Sequence, residues 1–194
     1  SIIKSKFVAV LLGPTGIGIT GLFMTSIAFV SILTNFSLER STVKNIAAAN
    51  GSKDLDRIAT VVSVLRRLVW FTGLLGAFLT IIFSSVLSEL AFGNKDYTIH
   101  FICLSSILLL NQISAGQGVV LRGMSKLSYL AKSSLFGALS GLFISIPIYY
   151  FWGVDGIVPA IILGSISTFI LTYYYSRKVN INTVKVSKSV FLLE

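Results

Sequence analysis

Two lysines inside an apolar run are the residues best placed to do chemistry. Lys4 and Lys6 stand two apart in a stretch that is otherwise apolar or small from Ser1 to Leu12. If Gly13 marks the end of their helix, Lys6 lies about 10 Å and Lys4 about 13 Å from that end, at 1.5 Å per residue. An ammonium held in hydrocarbon costs at least about 2.5–3.5 kcal/mol, so such groups face water, a cavity or an anion. An anion-binding cavity is the chemistry they predict, and snorkelling to an interface is the plainer alternative. A spacing of two puts them about 200° apart on a helix, so both cannot line one narrow cleft equally well.

A second polar face lies further on. Asn111, Ser114, Gly118 and Arg122 fall within roughly 60° on a helical wheel, flanked by Gln112 and Gln117. A polar stripe ending in Arg suits a pathway lining, and it equally suits hydrogen bonding between helices. Other chemistry is poorly supported. Gly16-Ile17-Gly18-Ile19-Thr20-Gly21 matches G-x-G-x-x-G, but a dinucleotide site needs a strand–turn–helix unit, and this match sits inside a long uncharged run. Gly13 and Gly18 have the P-loop spacing, yet Ile19 stands where a phosphate-binding Lys is required. One Cys, Cys103, and one His, His100, exclude an internal disulfide and a multi-cysteine or two-histidine metal site. No cofactor and no metal are predicted.

The elements that carry these residues follow from composition. Only 12% of the residues are charged and 54% are hydrophobic, with a mean hydropathy of +0.87. Soluble domains carry roughly 25% charged residues, so a soluble globular domain is excluded, and so is disorder. A spanning helix needs about 20 mostly apolar residues. Six helices are predicted, at about 1–12, 17–38, 68–88, 99–121, 133–152 and 156–176. Gly13-Pro14-Thr15-Gly16 separates the first two. The first is only about 18 Å long, too short to span, so it is expected to be incomplete. Ser1 opens inside an apolar run without a Met, which predicts a piece of a longer protein with no cleavable signal peptide.

Sidedness follows from the net charge of +9. Arg40, Lys44, Lys53, Arg57, Arg66 and Arg67 follow the second helix. Arg122, Lys126 and Lys132 lie between the fourth and fifth, and Arg177, Lys178, Lys185 and Lys188 follow the sixth. The opposite loops, 13–16, 89–98 and 153–156, hold Lys95 alone. This asymmetry predicts that the basic side is cytoplasmic. Trp70 and Tyr173–Tyr175 fit an inner aromatic belt, and Tyr149, Tyr150 and Trp152 an outer one. The 54–67 segment has Leu55, Ile58, Ala59, Val62 and Leu65 at helical spacing, which predicts an interfacial amphipathic helix running into the third span. Gly51-Ser52 suits a turn and cap before it, and a solvated basic connector is the alternative. Small residues recur every fourth position at Ser133, Gly137, Gly141, Ser145 and at Ala160, Gly164, Thr168, Thr172, a ladder suited to close helix packing. A short echo links 12–18 to 152–158: both are G-x-x-G-I turns before a spanning helix, as in folds built from repeated helix pairs.

Phe7-Val8-Ala9-Val10-Leu11-Leu12-Gly13-Pro14-Thr15-Gly16-Ile17-Gly18 resembles the first-hairpin signature of the Wzx-type O-antigen and polysaccharide-biosynthesis flippases, in the superfamily of multidrug and oligosaccharidyl-lipid exporters. Four further stretches agree in order: Val43-Lys44-Asn45-Ile46-Ala47, Phe92-Gly93-Asn94-Lys95-Asp96-Tyr97, Arg122-Gly123-Met124 and Gly153-Val154-Asp155-Gly156. The resemblance runs to about Val179. It implies an all-α integral membrane fold of about twelve helices in two lobes around a cavity. Residues 1–179 would then be the N-terminal lobe, and 180–194 a cytoplasmic basic linker. The implied activity is not enzymatic. It is the flipping of undecaprenyl-diphosphate-linked oligosaccharide across the bacterial cytoplasmic (inner) membrane by alternating access. Lys6 matches a basic residue of the family's first helix, and Lys44 and Arg122 match basic positions at cytoplasmic helix ends. Lys4 and Asn111 complete the expected substrate-binding set. The expected partners are the lipid-linked oligosaccharide and membrane lipids, with other polysaccharide-assembly proteins as optional ones and nucleic acid excluded.

Two alternatives belong to other classes. A cation-coupled drug or metabolite antiporter would want a carboxylate within a span, whereas Glu39, Glu89 and Asp155 all lie at helix ends. A membrane scaffold of a glycan-assembly complex has no need of Lys4 and Lys6. A membrane-bound transferase would want Asp-rich or His-rich loops, which are missing.

Overall fold

The computed structural model describes residues 2–35 and 38–178. The expected linker at 180–194 lies outside the described residues. Among those described the chain is all helix: α1 (Ile2–Asn35), α2 (Leu38–Gly51), α3 (Leu55–Ile82), α4 (Ser84–Phe92), α5 (Thr98–Gly123), α6 (Leu127–Trp152) and α7 (Ile157–Arg177). A short 3-10 turn, Gly153–Gly156, joins the last two. Among the described residues four stretches are long and apolar enough to cross a membrane: Lys6–Thr34, which holds the kink at Gly13, Leu55–Ile82, Thr98–Gly123, and Leu127–Arg177, which holds both α6 and α7. These are the lengths and compositions of an α-helical membrane protein. The outward faces agree. Phe71, Leu74, Phe78, Phe143 and Phe151 are exposed apolar side chains, the coat expected of helices that meet lipid.

The expected break after the first helix is present. Gly13 has φ 68° and ψ −170°, so α1 is two helices joined at a non-helical residue. Glycine adopts that φ at little cost, and the following Pro14 disfavours a helical residue before it. Gly16 packs so tightly on Leu12 that any Cβ there would overlap it.

Helix α5 is the centre of the bundle, with α2, α3 and α7 packed on it. It runs antiparallel to α3: Gly116 meets Val69, and Gly73 meets Leu109 and Gln112. Helices α6 and α7 form a second antiparallel pair. Gly137 faces Thr168, Gly141 faces Gly164, and the Ser167 hydroxyl donates to Ser140 at 2.7 Å. The small-residue ladder therefore does what packing chemistry predicts, letting two backbones approach.

Two local expectations need correction, and a third gains a partner. Segment 54–67 runs directly into the third span. It is the first half of α3, and Ile58, Val61, Val62 and Leu65 are buried with Ile46 and Ala49 of α2 in one apolar cluster. Its apolar stripe packs on α2, a short helix of mixed polarity that the hydropathy pattern does not mark. The cap is Asp54, whose carboxylate accepts from the Arg57 N–H at 3.0 Å, and not Ser52. The third span ends at Ile82. Phe83 departs from helical geometry before α4, where Thr80 and Ser84 hydroxyls bond back to carbonyls and compete with the helix ladder.

Candidate functional site

The antiparallel pairings give the bundle two chemically distinct ends. One gathers the turns. Phe23 of α1 sits among the rings of Phe92, Tyr97 and Phe101, with centroids 5.0–5.8 Å away. The same apolar cluster takes in Val8, Tyr149, Ile157 and Val158, with Leu11, Leu12 and Ile19 packed against it. The two G-x-x-G-I turns are thus at one end, and α1 touches the Gly153–Gly156 turn directly. The basic residue here, Lys95, lies 3.8 Å from Glu89.

The opposite end holds the bases. The Arg122 guanidinium at the end of α5 donates to Glu39 in the first turn of α2 at 3.1 Å. Gly123 lies against Ile46 and the Val43 carbonyl, leaving no room for a side chain. Lys44 is exposed on the same helix. Lys44 and Arg122, both expected to receive substrate, therefore share one end of the bundle. They differ in state, because Arg122 is engaged by Glu39.

Lys6 is exposed, while Val8, two residues on, is almost fully buried in the turn-end cluster. Two residues on a helix are about 200° apart. The Lys6 side chain therefore leaves the opposite side of α1 from the one that packs on the bundle. The Lys4 side chain lies outside the described residues. The structure does not bring Lys6 onto the Lys44–Arg122 end, since Val8 belongs to the turn-end cluster.

The polar stripe of α5 is mostly spent on neighbours. Gln112, buried, donates to the Thr72 hydroxyl of α3 at 2.9 Å. Ser114 bonds back to the Leu110 carbonyl at 2.8 Å. Gln117 accepts from the Ser176 hydroxyl of α7 at 3.1 Å. Asn111 is exposed and opens on a small cleft of about 200 Å³ against Met24, Gly141 and Gly164. Interhelical hydrogen bonding is thus the work of the flanking Gln112 and Gln117 and of Arg122, Ser114 bonds within α5, and Asn111 is the member left facing a cleft.

A larger cleft was not anticipated. It has about 360 Å³ and lies between α3, α5 and α7 at the basic end. Arg66 and Trp70 come from α3, Ile113, Gly116, Gln117 and Val120 from α5, and Phe169, Tyr173 and Arg177 from α7. The α5 residues recur at positions i, i+3, i+4 and i+7, one face of a helix. The signal was available in the belt residues Trp70 and Tyr173. Their meeting across α5 depends on the antiparallel register, which no single span reveals.

Comparison of the chain with protein-family models, with curated proteins and with solved structures finds no match in any of the three. The functional reading therefore rests on the residues and their geometry. Among the described residues no group of three or more His, Cys, Asp or Glu side chains is placed to hold a metal.

Proposed function

We propose that the chain is one half of a membrane flippase that carries a polyprenyl-diphosphate-linked oligosaccharide from the cytoplasmic to the outer leaflet of the bacterial inner membrane. One observation carries the reading. Lys6 is an exposed cation inside the long apolar helix α1, and it leaves the helix on the side away from the packed bundle. Charge in such a position is expensive unless an anion or water receives it. In a two-lobed transporter that side of α1 faces the central cavity, where the ammonium replaces part of the hydration of a diphosphate. Lys44 and Arg122, at the end read as cytoplasmic, supply the positive field that collects the anionic head group. Asn111 offers a neutral hydrogen-bonding group within the bundle, suited to sugar hydroxyls.

The acids among the described residues do not favour the antiporter. Glu39 and Glu89 pair with Arg122 and Lys95, Asp54 caps α3, and Asp56, Asp96 and Asp155 stand at helix starts or turns. The test is a Lys6→Ala substitution in the intact gene. Surface glycan is lost while the protein stays in the membrane at its normal level, and Lys6→Arg keeps most of it. Wild-type surface glycan in Lys6→Ala would overturn the proposal.

A further inference from the structure

We infer that the cleft between α3, α5 and α7 is a binding site for one anionic phospholipid of the surrounding membrane, separate from the cargo path. Its walls and mouth differ in chemistry. The floor is the α5 face that carries Ile113 and Val120, and the sides are Val69 and Phe169, so the trough takes an acyl chain. The mouth carries Arg66 from one wall and Arg177 from the other, and no acid lines the cleft. The Arg177 guanidinium is held over the Tyr173 ring, 4.8 Å from its centroid, a contact that steadies the group without neutralising its charge. Trp70 and Tyr173 flank these arginines, the placement aromatic residues take at head-group level.

The site is built into the packing. Gly116 lets α3 approach α5 so closely that a Cβ would meet Val69 at 2.7 Å. On the other side the Ser176–Gln117 hydrogen bond fastens α7 to α5. Both walls are therefore tied to the floor, and the trough is held open between them. Its volume lies at the lower end of the range of small-molecule pockets. A phosphodiester suits two arginines because guanidinium donors match phosphate oxygens. A free phosphate leaves the apolar trough unfilled, and a neutral lipid leaves the arginines uncompensated.

This chain holds two tryptophans, Trp70 and Trp152. A Trp152→Phe background, with any tryptophan of a second lobe likewise replaced by phenylalanine, makes Trp70 the reporter at the mouth of the cleft. Reconstituted into phosphatidylcholine vesicles, its fluorescence is measured as brominated phosphatidylglycerol or brominated phosphatidylcholine is added at equal, low mole fraction. A basic residue at the membrane surface contributes about fivefold to an anionic preference, so two contribute up to about thirtyfold. The expected result is a phosphatidylglycerol preference of about ten- to thirtyfold that inorganic phosphate does not relieve. It falls to near one in Arg66→Gln/Arg177→Gln, is kept in Arg66→Lys/Arg177→Lys, and is unchanged in Lys132→Gln. Circular dichroism verifies the fold of each variant. If the double glutamine variant does not fold, the single Arg66→Gln carries the test with a loss of about fivefold. Equal quenching by the two lipids overturns the inference, as does a preference that survives loss of the arginines or that inorganic phosphate abolishes. None of these readouts involves glycan transport.

Discussion

The Arg122 guanidinium and the Glu39 carboxylate lie 3.1 Å apart and join the last turn of α5 to the first turn of α2. Glu39 also stands where a helix N-terminus favours negative charge. The pair is partly exposed, so its net worth is about 0–1 kcal/mol, too little to fold the bundle by itself. Its weight is positional. It holds a cation at the mouth of the basic end with its charge offset by the Glu39 carboxylate.

That arrangement separates two roles of Arg122 by charge exchange. Arg122→Glu places two carboxylates together and is expected to lower the amount of folded protein in the membrane. Glu39→Arg/Arg122→Glu restores the pair in reverse and with it the protein level. If Arg122 also receives the anionic cargo, surface glycan stays at least severalfold below wild type in the double variant. Full recovery of glycan would assign Arg122 to helix docking alone.

A second expectation concerns Gly123, one residue on. A Cβ at this position would lie 2.6 Å from the Ile46 side chain. Ile46 is fully buried in the α2–α3–α5 cluster and has no free space to move into. Gly123→Ala should therefore cost about 1–3 kcal/mol, as overpacking does. Ile46→Ala in the same chain removes the clashing atoms and should recover part of the loss, although it carries its own cavity cost. Thermal unfolding of the four proteins in one detergent measures the coupling. Additive losses would mean that the contact is not made.

The legible and illegible parts of the fold divide along a physical line. Apolar length and the Gly13-Pro14 pair identify the long helices and the break in α1, because both are local properties of the chain. The glycine and serine ladder of α6 and α7 was legible for the same reason, since its fourfold spacing needs no knowledge of the partner. Helix α2 was missed because its residues are mixed in polarity and its stability comes from Ile46 and Ala49 docking on α3 and α5. The engagement of Arg122 by Glu39, 83 residues away in the chain, likewise belongs to tertiary register. So does the α3–α5–α7 cleft, whose lining comes from residues more than a hundred positions apart. Lys6 was legible as an anomaly, and packing adds the direction it faces.

The last expectation tests what Lys6 faces. Cys103 is the single cysteine of this chain, so Cys103→Ser, with any cysteine of a second lobe likewise replaced by serine, gives a background in which an introduced thiol reports alone. Charged thiosulfonate reagents react with thiolates, and a thiolate forms only where water is present. Val10 and Lys6 are both exposed on α1, and Phe78 is exposed on α3. Lipid and a wet cavity therefore predict different patterns from the same exposure. In a wet cavity Lys6→Cys reacts with a membrane-impermeant reagent at least tenfold faster than Phe78→Cys, and added diphosphate-bearing lipid slows it. Facing lipid, Lys6→Cys is as slow as Phe78→Cys. That second pattern would place the ammonium at an interface by snorkelling and remove it from the cargo path. Val10→Cys, four residues from Lys6 and on the same face of the helix, sets the depth of the wet region, because water that reaches both positions spans about 6 Å of α1.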